Sequence, residues 1–144
     1  MLGRQRGYFD GSNIEESFLV DWLLETSIDL SNTGAYRPYM NIGGEPSEED
    51  LAKSKANFAK FNAQVAKSLA DRGNPTYFAG DRLTIADFVL ANHYLSYAFN
   101  ETNEKDIVAT AKATVAETPN VGEYMERVKA QIAGYLEVRG KYMI

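Results

Sequence analysis

Apolar residues recur along this chain at steps of three, four and seven, the spacing that lines one face of an α-helix. The clearest stripe is Leu51, Phe58, Phe61, Val65 and Leu69, with Lys53, Lys55, Lys60, Gln64 and Lys67 on the remaining faces. Ser47 precedes it as a cap, and Glu48, Glu49 and Asp50 place acids in the first turn, where the helix dipole favours them. Gly73-Asn74-Pro75 closes that helix. Upstream, Asn13 is placed to cap a helix that runs to Asn32, with Glu16 completing a capping box and Gly34 stopping the chain. Residues 34–46, with Arg37-Pro38, Gly43-Gly44 and Pro46, read as a loop, and the glycine pair as a turn. Downstream the pattern predicts helices from Thr84 to Asn100, from Glu104 to Glu117 and from Thr118-Pro119 to Ile132, with a last turn near Tyr135 to Arg139. No stretch alternates with period two, so the expected fold class is all-α, a helical bundle with short loops.

The start of the third helix carries every capping device at once. In Gly80-Asp81-Arg82-Leu83-Thr84-Ile85-Ala86-Asp87-Phe88, the Thr84 hydroxyl can accept from the Asp87 N–H while the Asp87 carboxylate reaches back to the Thr84 N–H. Leu83 and Phe88 stand at the positions of a hydrophobic staple, which sets the angle of chain entry. These residues build a fold; they do no chemistry.

The first helix is unusual in two respects. Counting about 100° per residue from Phe18, the residues Trp22, Leu19, Leu23, Val20 and Leu24 fill an arc of roughly 40° to 240°, wider than the ~100° stripe of a surface helix. Either the helix is buried centrally in its own bundle, or Leu19, Val20 and Leu23 form an interface covered by another protein surface. Asp21, Glu25 and Asp29, four apart, drift by only about 40° per step and form a carboxylate ridge. A solvated face and a cationic partner both fit that ridge.

Composition narrows the function classes. The 144 residues suit one domain, and a net charge of −5 without a basic stripe argues against nucleic acid. The absence of cysteine removes disulfides, thiol nucleophiles and thiolate metal sites. No apolar run approaches the ~20 residues of a membrane span, and the N-terminus is no signal peptide, so a cytoplasmic chain is expected, with an organellar assembly left open. His93, the single histidine, has no acid at ligand spacing and reads as a hydrogen-bonded helix residue, so no metal is expected.

The capping sequence, G-x-x-x-T-x-A-D ahead of an apolar helix, resembles that of glutathione S-transferases in their all-helical C-terminal domain. The resemblance extends to Leu2-Gly3-Arg4-Gln5-Arg6-Gly7-Tyr8, similar to the end of the family's thioredoxin-like N-terminal domain, and to Leu19-Val20-Asp21 through Ile28-Asp29-Leu30. Thr118-Pro119-Asn120, Tyr124, Arg127-Val128 and Ile132 to Arg139 are similar to its closing helices, although Ala130 stands where many members have proline. It implies that residues 1–11 are the remnant of the N-terminal domain and its linker, and residues 12–144 the helical domain. It also implies that Asp29 contacts the amino group of glutathione bound to a neighbouring subunit. Tyr36, Tyr39 and Met40, with Tyr142-Met143-Ile144, stand where family members line an apolar pocket; ordinary packing is the simpler reading of the same residues.

The family's catalytic hydroxyl and glutathione cradle belong to the thioredoxin-like half, which precedes the part matched here. The expectation is therefore a non-catalytic interaction or structural subunit, with no catalytic residue, no cofactor, and glutathione only if that half is supplied. Its partner would be a protein, in a homodimer or a larger assembly. The alternative is the electrophile-binding C-terminal part of an active transferase.

Overall fold

The computed structural model describes residues 12–32, 47–100 and 105–138, and among them every regular element is a helix. Asn13 opens α1 (Ile14–Asn32): its side-chain oxygen accepts from the Glu16 N–H at 3.0 Å. The Glu16 carboxylate turns back to the N–H of Ser12, one residue earlier than a standard capping box requires. Ser47 opens α2 (Glu48–Asp71) with both limbs of the box in place, Asp50 N–H to Ser47 Oγ at 3.1 Å and Ser47 N–H to Asp50 Oδ2 at 3.3 Å. The expected stripe is the buried one: Phe58, Phe61, Val65 and Leu69 face the core, while Leu51 is half-buried. Gly73 and Asn74 then take left-handed φ values of 72° and 56°, and the Asn74 N–H returns to the Leu69 carbonyl at 2.8 Å.

The third helix begins as expected and then departs from expectation. After α3 (Ile85–Ala91) the chain continues through Asn92–Ala98 with π-type turns, and the Phe99 N–H reaches the Tyr94 carbonyl, five residues back, at 2.8 Å. The wider turn accompanies two consecutive buried polar residues: His93 meets α1 and α2, while Tyr94 meets α2. After it come α4 (Lys105–Ala116), α5 (Pro119–Gln131) and α6 (Ala133–Val138). Pro119 occupies the first turn of α5 as expected, but Thr118 makes no side-chain cap. Its hydroxyl donates to the Val115 carbonyl at 3.2 Å and accepts from Asn62 Nδ2 at 2.7 Å.

Helix α2 packs against α4 and α5, and α1 against α3, around a core that includes Val20, Leu23, Phe61, Leu69, Phe78 and Leu90. Each large side chain withdrawn from water in this way contributes about 1.5–3 kcal/mol. This corrects the expected interface. Val20 and Leu23 are fully buried inside the bundle, and Leu19, Trp22 and Leu24 pack half-buried against its core, so this arc is not open to a partner. The reason is that α2 and α3 both pack against α1. The apolar residues that α1 leaves in water are Ile14, Phe18 and Ile28.

Candidate functional site

Asp87 is the most heavily engaged polar group of the described fold. Its carboxylate is fully buried and accepts from four donors: Phe78 N–H at 2.7 Å and Tyr124 Oη–H at 2.6 Å on one oxygen, Thr84 N–H at 2.8 Å and Thr84 Oγ1–H at 3.0 Å on the other. The box limb from Asp87 back to Thr84 is thus as expected. The Thr84 hydroxyl sits in the box but donates to the carboxylate, and the Asp87 N–H makes its hydrogen bond to the Thr84 carbonyl at 3.1 Å. Of the staple residues, Leu83 is half-buried and Phe88 keeps 38% of its surface exposed. Burial raises the Tyr124 pKa well above the ordinary phenol value, and the Asp87 charge and hydrogen bond raise it further. Tyr124 is therefore a fixed neutral donor that ties α5 to the start of α3.

A second polar cluster lies in the same core. Asn62 donates to the Thr118 hydroxyl and, at 3.3 Å, to the Thr114 carbonyl, and it accepts from Tyr94 Oη–H at 2.8 Å. Burial raises the Tyr94 pKa, which keeps that hydroxyl protonated. His93 meets the Ser27 hydroxyl through Nε2 and stands edge-on to Phe61 at 5.4 Å. Its pKa is lowered to about 4 because burial disfavours the imidazolium. It is neutral at pH 7, and among the described residues no group of three His, Cys, Asp or Glu is arranged to hold a metal.

Around the loop that precedes α3, Arg72 joins α2 to the capping segment. Its guanidinium donates to the Ser68 and Phe78 carbonyls and lies over the Phe78 ring at 5.1 Å, with Trp22 stacked beyond at 6.2 Å between centroids. Burial lowers its pKa. Gly80 lies close to the start of α1: a Cβ there would come within 2.5 Å of the Glu16 carboxylate, which would have to swing aside.

Asp29 is exposed at the rim of a cavity of about 180 Å³ between α1 and α2, lined by Thr26, Leu30, Asn57, Lys60, Phe61 and Gln64. One carboxylate, one ammonium and two amides converge there around an apolar floor. Tyr36, Tyr39 and Met40, the C-terminal Tyr142-Met143-Ile144, the loop glycines Gly43 and Gly44, and residues 1–11 lie outside the described residues. The capping residues and Asp29 thus fall at separate places: Leu83, Thr84, Asp87 and Phe88 do not line the cavity that Asp29 borders. Reading the sequence alone missed Asn62, Arg72 and the hydroxyl of Tyr124. Each works through a partner distant in sequence, such as Tyr124 and Asp87, and no local spacing announces such a pair.

Comparison with known proteins supplies the remaining finding. The profile described as "Glutathione S-transferase, C-terminal domain" matches residues 36–139, well over half of the chain. Among solved structures, the chain is similar to monomeric Na-GST-3, a glutathione S-transferase of the hookworm Necator americanus, at 19% identity with a TM-score of 0.75. It is also similar to NaGST-2, at 23% identity with a TM-score of 0.74. In both cases 99% of this chain aligns and spans 66% of the other. No curated protein sequence matches.

Proposed function

Because this chain belongs to the glutathione S-transferase C-terminal domain family, we propose that it works as a helical interaction or structural subunit and is not a catalyst on its own. The observation that carries this reading is where the strongest chemical groups are engaged. Asp87 is occupied by four donors, Tyr124 by Asp87 and His93 by Ser27, all inside the bundle. Activating the glutathione thiol requires a donor facing the developing thiolate and a cradle for the tripeptide. Asp29 supplies one charged hydrogen-bond acceptor, worth about 1.5–3 kcal/mol. Micromolar affinity needs about 8 kcal/mol. The test is glutathione conjugation to an aromatic halide by the purified chain. The expected rate is that of the buffer control, and a rate proportional to protein concentration would contradict the reading.

A second reading draws on the extent of the structural match. Since the chain spans 66% of each of the two transferases, it fits the electrophile-binding portion of a two-domain enzyme, with Asp29 turned toward glutathione on a neighbouring subunit. Intact mass of the native protein distinguishes the two: a mass near 16.0 kDa supports the subunit reading, and a mass larger by a thioredoxin-like domain supports the second.

A further inference from the structure

We draw no further inference here: the strongest candidate, the cavity between α1 and α2 lined by Asp29, Asn57 and Lys60, belongs to the site already described and borders the face that the family gives to its neighbouring subunit, so an occupant argued for it restates an established property of the family.

Discussion

Asp87 shows how far a single residue can outgrow the local role that its sequence context assigns. The spacing to Thr84 makes the capping box legible, but the donors from Phe78 and Tyr124 come from nine and 37 residues away and depend on the finished packing. The two cap residues should therefore differ in cost. Thr84→Ala should destabilise by about 1–2 kcal/mol, as lost caps do. Asp87→Ala strands several buried donors, each worth about 1–3 kcal/mol, and should cost about 3 kcal/mol or more. Chemical denaturation measures both, and equal losses would contradict the hub. His93 supplies the pH counterpart. Its folded pKa of about 4 lies below the ordinary value of 6.5, so the folded state favours the neutral ring. The stability it confers is complete above about pH 6.5 and is lost as pH falls toward 4, by at most about 3 kcal/mol. Carboxylates titrate in the lower part of this window, so the informative quantity is the difference between wild type and His93→Gln. That difference should shrink on acidification, and a difference constant from pH 7 to 4 would exclude the mechanism.

At the scale of elements, the caps and breakers were the readable part. Asn13, Ser47, Pro119 and the Gly73-Asn74 turn stand at the expected helix limits. The π-type stretch Asn92–Ala98 was not readable, because its wider turn accompanies the burial of both His93 and Tyr94 against other helices, and no residue in it breaks an α-helical pattern. The arc of α1 was legible as too wide for a surface helix, but the pattern alone could not choose between a core position and a partner. Burial makes the choice, and it gives a test within one helix. Leu23→Ala should cost about 2–5 kcal/mol. Phe18→Ser should stay within about 0.5 kcal/mol. The reverse order of midpoint shifts would mean that α1 is rotated relative to this structure. The ridge Asp21, Glu25 and Asp29 was equally legible; its place beside Ile14, Phe18 and Ile28 needed the exposure of each side chain.

For the whole molecule, the fold follows from helical periodicity and is matched by the family profile and by two transferase structures, whereas the function rests on the division of labour within that fold. Buried carboxylate, phenols and imidazole hold helices together, while Asp21, Glu25 and Asp29 of α1 face water. Among the described residues no helix is long and apolar enough to cross a membrane, so α1 has no bilayer-spanning role to account for its exposed apolar side chains. The proposal that this chain does not use glutathione by itself is tested most directly by isothermal titration of the purified 144-residue protein with glutathione. With Asp29 as the one glutathione contact that the family resemblance implies, the account predicts affinity weaker than millimolar, and hence heats that scale with dilution and do not saturate. Saturable binding in the micromolar range, lost on Asp29→Asn, would contradict it.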